Sequence, residues 1–149
     1  MASSADIIVY SRNKRLVLAV ETEASSEPTA QEATELRCRL LEHPLFPRGS
    51  FFLFVNYAAM FLWREETPPA APPDFSASAD TVLKDYELLD DGKGVPSKGA
   101  LEIVVFAWLS SIANGLREAD PASPPGQMLI QSGLYDEIRG GEVQFEPCL

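Results

Sequence analysis

Two apolar runs of strand length, Ile7–Tyr10 and Leu16–Val20, are separated by five polar residues, Ser11-Arg12-Asn13-Lys14-Arg15. That spacing, with Asn at the centre of the polar stretch, predicts a β-hairpin with a longer loop. The hairpin constrains the chain more than any other feature, because acids flank its open end. Asp6 opens the first run, and Glu21 and Glu23 close the second. With the turn centred on Asn13, antiparallel pairing sets Asp6 beside Val20 and Glu21. Strand side chains alternate faces, so Glu21 and Glu23 are expected to point the same way. Three carboxylates would then meet at one end of one hairpin, an arrangement suited to a divalent cation held by hard oxygen ligands. The plainer account of the same acids is a hydrated, mutually repelling group at strand ends, each raising the others' pKa. The pattern alone leaves open whether any reaction happens there.

The rest of the chain reads as mixed α and β. Thr29, with Glu32 three residues on, is a capping box for a helix that starts around Pro28-Thr29-Ala30. Ala33, Leu36, Leu40 and Leu41 share one face of that helix, and His43 ends it just before Pro44. His43 is expected to serve the helix end or solvent rather than a metal. Phe51–Val55 and Met60–Trp63, joined by Asn56-Tyr57-Ala58-Ala59, make a second hairpin. The first half is thus expected to form a four-stranded, mainly antiparallel sheet with the 30–42 helix on one face.

Residues 65–73, rich in Pro, read as a stiff extended connection. Residues 74–96 read as polar and turn-rich, with one apolar patch at Val82-Leu83. Ser97 is the expected cap of the strongest helix. Leu101, Val104, Val105, Trp108, Leu109 and Ile112 form its stripe, and Gly115 is its stop. Ile103, Phe106 and Ala107 flank the stripe, so that helix is expected to be buried on most sides. Ser123-Pro124-Pro125 begins another helix running to Gly133, a short helical turn spans Leu134 to Arg139, and Val143–Phe145 reads as an edge strand. The expected fold class is α/β of the α+β type: a mixed sheet with two hairpins flanked by helices, in a single domain spanning 1–149.

The net charge of −10 is unevenly spread. Residues 1–64 balance seven basic against seven acidic residues, while residues 65–149 hold five against fifteen. A chain this acidic is a poor generic binder of nucleic acid, because phosphate contacts supply most of that affinity. Arg12, Lys14 and Arg15 in the hairpin loop, or Arg37 and Arg39, offer the only local basic faces in the first half, and the plainer account makes them solvated. No apolar stretch approaches the roughly 20 residues of a membrane span, and the start shows no signal core, so a cytoplasmic protein is expected. Cys38 and Cys148 make no disulfide framework, and Cys38 is expected to be a small packing residue. A Gly-rich phosphate loop, a Cys/His metal cluster and a Ser-His-Asp constellation are all missing from the sequence pattern.

Asp6, the run Leu16–Val20 and Glu21-Thr22-Glu23 resemble the active-site hairpin of the PD-(D/E)XK, or restriction-endonuclease-like, superfamily. The likeness extends to Leu36–Leu41, to Leu62-Trp63, to the 101–115 helix and to Ser132–Ile138, as in small bacterial proteins of that fold. The resemblance implies Mg2+ or Mn2+ held by Asp6, Glu21 and the carbonyl of Thr22. Asp6, Glu21 and Glu23 would then be the catalytic set of a phosphodiester hydrolase, with DNA as the substrate class and a homodimer as the assembly. Two positions depart from the pattern: Ala5 replaces Pro, and Glu23 stands where the family carries Lys. Glutamate offers no positive charge to the transition state, though it can act as a base or an added ligand. The motif itself offers no other cation, so weak or absent cleavage of plain duplex DNA is expected. The alternative is a catalytically degenerate module that binds a partner. Five aromatics, Phe51, Phe52, Phe54, Phe61 and Trp63, add to the case for a dimer, because alternation sends them to both faces of a sheet.

Overall fold

The structure, a computed structural model, describes residues 5–23, 29–44, 46, 50–85 and 98–145. The first hairpin is β1 (Ile7–Tyr10) and β2 (Leu16–Thr22). Helix α1 (Ala30–Glu42) follows, then the hairpin of β3 (Phe51–Val55) and β4 (Ala59–Trp63). After these come β5 (Phe75–Ser78), α2 (Asp80–Asp85), α3 (Lys98–Ala113), α4 (Pro124–Ser132), α5 (Leu134–Ile138) and β6 (Glu142–Phe145). The strands form one sheet in the order β5-β4-β3-β2-β1-β6. Among the described residues only β2 and β3 pair in parallel. Parallel neighbours need a crossover, and α1 supplies it. The mixed α/β class expected of the sequence is therefore observed, with the expected edge strand β6 and the unexpected β5 extending the four strands of the first half to six.

Local chemistry explains most boundaries. The Glu32 N–H donates to Thr29 Oγ1 at 3.3 Å, and the Thr29 N–H donates to Glu32 Oε1 at 3.1 Å, closing the capping box of α1. In the β1–β2 turn the Ser11 hydroxyl accepts from the Asn13 and Arg15 N–H groups, and Lys14 takes a positive φ of 65°. At the β3–β4 turn Asn56 Oδ1 accepts from the N–H groups of Ala58 and Ala59 at 2.8 Å each. Gly115, at φ 78°, ends α3 in the left-handed conformation that glycine adopts without steric cost. The caps expected at Ser97 and the residue Cys148 lie outside the described residues.

The two faces of the sheet bury different material. One face packs Ile7, Val9, Leu18, Val20, Leu53 and Leu62 against the α3 stripe and against α4 and α5. The other packs Ile8, Ala19, Phe52, Phe54, Phe61 and Trp63 beneath α1 and Phe46. The aromatics are thus covered within one chain. Phe52 lies 5.5 Å from Trp63 and Phe54 lies 6.3 Å from Phe61, ring centre to ring centre. A second subunit is not required to cover them.

Four local expectations are corrected. Residues 65–73 are not extended: backbone bonds from Thr67 to Arg64 and from Ala71 to Pro68 fold them into successive turns. Three tethers override the extended preference of the prolines. The Arg37 guanidinium donates to the carbonyls of Thr67 and Pro68, and Trp63 Nε1 donates to the carbonyl of Ala71. Arg37 is therefore not part of a solvated or basic face; it is 3% exposed and lies 5.5 Å over the Trp63 ring. Residues 75–85, read as turn-rich, form β5 and α2, because Ser76, Ala77 and Ser78 pair with β4 despite their weak strand propensity. Finally, Ile103 is 63% exposed, so α3 keeps a wet side.

Candidate functional site

The open end of the β1–β2 hairpin is built as its register requires. Ile7 pairs with Val20, and the Asp6 N–H donates to the Val20 carbonyl at 2.9 Å. Asp6 Oδ2 then accepts from the Thr22 N–H at 2.9 Å and from the Thr22 hydroxyl at 3.0 Å. A side-chain oxygen thus takes the place of a ladder carbonyl and fixes the Asp6 carboxylate against the end of β2. On the other side of β2 the ladder continues past Thr22, with the Glu23 N–H donating to Val55 O at 3.0 Å.

A residue from outside the hairpin completes this corner. Lys98, in the first turn of α3, places Nζ 2.6 Å from Asp6 Oδ2 and 2.6 Å from the Thr22 carbonyl oxygen. The same Nζ lies 3.0 Å from Thr22 Oγ1 and 3.8 Å from Glu102 Oε1, one helical turn on. Packing of the α3 stripe against the sheet brings the start of that helix to the end of the hairpin. Sequence reading missed Lys98 because 76 residues separate it from Thr22 and nothing local marks it. The only available signal was its place at the head of the most apolar helix.

Register sorts the acids. Glu21 lies opposite Phe54 and Thr22 opposite Val55. Phe54 belongs to the α1 side and Val55 to the α3 side. Asp6 turns toward Thr22 and Lys98, and Glu21 feels the charges of Asp6, Lys98, Glu23 and Glu102 at the same end of the hairpin. Among the described residues no group of three or more His, Cys, Asp or Glu side chains is arranged to hold a metal by itself.

The electrostatics are strongly coupled. Glu21 Oε1 is shut off from solvent with no hydrogen-bond partner. Burial, then the charge of Asp6, push the Glu21 pKa from 4.5 up to about 8, against a smaller opposing pull from Lys98. Burial opposes the charge of Lys98, but its hydrogen bond to Asp6 and the nearby carboxylates outweigh that, and its pKa is raised. Glu102 is also raised, by burial and then by Asp6. The site therefore pairs Lys98 with Asp6 and, at longer range, with Glu102, beside a buried Glu21 carboxyl whose pKa is raised.

Comparison with family models, curated proteins and solved structures gave no match. The geometry of the hairpin end must carry the functional reading by itself. Its chemistry fits a hard cation. Two of the oxygens expected to ligate, Asp6 Oδ2 and the Thr22 carbonyl, already converge on one cationic atom. The Lys98 ammonium occupies that point of convergence. The orphaned Glu21 oxygen is an acceptor that a third ligand position would use.

Proposed function

We propose that the chain is a restriction-endonuclease-like, Mg2+- or Mn2+-dependent phosphodiester hydrolase whose missing motif lysine is replaced in space by Lys98. The observation that carries this reading is the single cation position shared by Asp6 Oδ2 and the Thr22 carbonyl. Asp6, Glu21 and the Thr22 carbonyl would hold the metal. A bound divalent ion supplies charge to polarise a phosphoryl oxygen and to acidify a water. Lys98, in the first turn of α3 beside that position, supplies the positive charge that Glu23 cannot. Glu23, at the mouth of the hairpin, accepts the proton of the attacking water. The net charge of −10 works against a long polyanion, so a short phosphodiester suits the site better than long duplex DNA. A cytoplasmic setting belongs to the same proposal; among the described residues no helix is long and apolar enough to cross a membrane.

The direct test is hydrolysis of a chromogenic phosphodiester with Mn2+. Wild-type turnover should require metal, and Asp6→Asn should lower it by ~10²–10³, the usual cost of one preorganised electrostatic group. Metal-independent turnover, or turnover untouched in Asp6→Asn, would sink the proposal. One observation favours a second reading, the non-catalytic binding module: Lys98 already neutralises Asp6, so the corner is satisfied as it stands. Failure of the folded protein to bind Mg2+ or Mn2+ at all would select that reading.

A further inference from the structure

Resting on the metal-dependent reading above, we infer that Lys98 is a tethered competitor for the metal, and that Glu102 is the seat it moves to when the metal enters. The geometry makes the two occupants exclusive. Nζ sits 2.6 Å from both Asp6 Oδ2 and the Thr22 carbonyl, which is direct contact. A divalent ion on the same two oxygens would stand about 2.0–2.1 Å from each for Mg2+. Two cationic centres cannot share that position, so the ammonium has to leave. The side chain has somewhere to go. It is 44% exposed, it is anchored only at its tip, and Glu102 Oε1 is already 3.8 Å from Nζ on the same helix. Residues four apart on a helix are neighbours, so the transfer needs rotation of the lysine side chain and no movement of α3.

The exchange keeps a cation on Asp6 in both states. With the lysine inward, Asp6 is paired with Nζ at 2.6 Å. With the metal inward, the divalent charge falls on Asp6 and Glu21, while Lys98 pairs with Glu102 close by. The lysine thereby does two jobs. It keeps the empty corner from carrying unpaired acids, and it sets a threshold of metal concentration below which the site stays closed. Partly buried acceptors left without a cation are costly, and Lys98 removes that cost while the corner holds no metal.

Calorimetric titration of the full chain with Mn2+ tests this without reference to activity. Lys98→Met should tighten binding by about tenfold to a hundredfold, since the metal no longer displaces a charge-assisted pair. Lys98→Gln gives the same reading should the methionine variant fold poorly, with thermal melts confirming the fold. Lys98→Arg keeps a tethered cation and should stay within about threefold of wild type. Glu102→Gln should weaken binding in the wild-type background and have little effect beside Lys98→Met, because its part is to receive the lysine. Wild-type binding with unchanged or weaker affinity in Lys98→Met would overturn the competition and leave the metal reading standing. No binding in either protein would overturn both.

Discussion

Glu21→Gln isolates the least ordinary group in the molecule. Glutamine keeps the shape of the side chain and removes its titration. The Glu21 pKa stands at about 8 in the folded chain against 4.5 for the ordinary group, so between those values the folded state holds a proton that the unfolded state has lost. Stability then falls as pH rises through that window. At 1.36 kcal/mol per pKa unit the full shift is capped at about 5 kcal/mol. Charge in a partly wet pocket relaxes, and an effective dielectric nearer 20 than 4 makes roughly 2–3 kcal/mol the realistic share. The contribution is complete below the unfolded value and gone above about pH 8. Urea unfolding with chelator present should therefore find Glu21→Gln close to wild type at pH 5 and about 2–3 kcal/mol more stable at pH 9, or roughly 5–10 °C in Tm for a chain of this size. The difference between the two proteins cancels the other titrating groups. A difference that stays constant from pH 5 to 9 would refute the assignment of a buried, proton-holding Glu21.

Three further outcomes follow from the packing. Arg37→Ala should cost roughly 2–4 kcal/mol by urea unfolding, because the Thr67 and Pro68 carbonyls lose their donors and Trp63 loses its cover; a cost below 1 would contradict the tethering role. Gly141→Ala should destabilise the β1–β6 edge by roughly 2 kcal/mol or more, since an added Cβ would meet the Tyr10 carbonyl oxygen at 2.1 Å, and faster amide exchange in β6 than in β3 would localise the loss. Thr29→Ala should cost about 1 kcal/mol and fray the first turn of α1, seen as reduced helical circular dichroism and a lower melting point.

The parts of the fold that were legible in the sequence are those written in local chemistry. The two hairpins, the capping box at Thr29, the α3 stripe, the Gly115 stop and the Ser123 cap each depend on residues within a few positions of one another. What was not legible depends on distant partners. β5 has weak strand residues and exists because β4 offers an edge. The 65–71 turns exist because Arg37 and Trp63 pin them. Arg37 looked like a surface charge because its helical position could not announce that its acceptors lie thirty residues away.

The candidate site divides in the same way. Asp6 and Glu21 were found at the hairpin end by register alone. Asp6 departs from strand alternation because it precedes the regular strand and turns to Thr22. Lys98 was invisible for want of any local pattern, yet it supplies the cation of this corner. The sequence-based argument for weak chemistry rested on the net charge of −10 and on the absence of a cation from the motif itself; the cation at this corner comes from outside the motif, on α3.

The most direct test of the central claim is diffraction from crystals grown with saturating Mn2+, read at the manganese absorption edge. The account predicts one anomalous peak bounded by Asp6, Glu21 and the Thr22 carbonyl, with Lys98 Nζ withdrawn toward Glu102. An absence of anomalous density there, with Nζ still in contact with Asp6 and the Thr22 carbonyl, would contradict it.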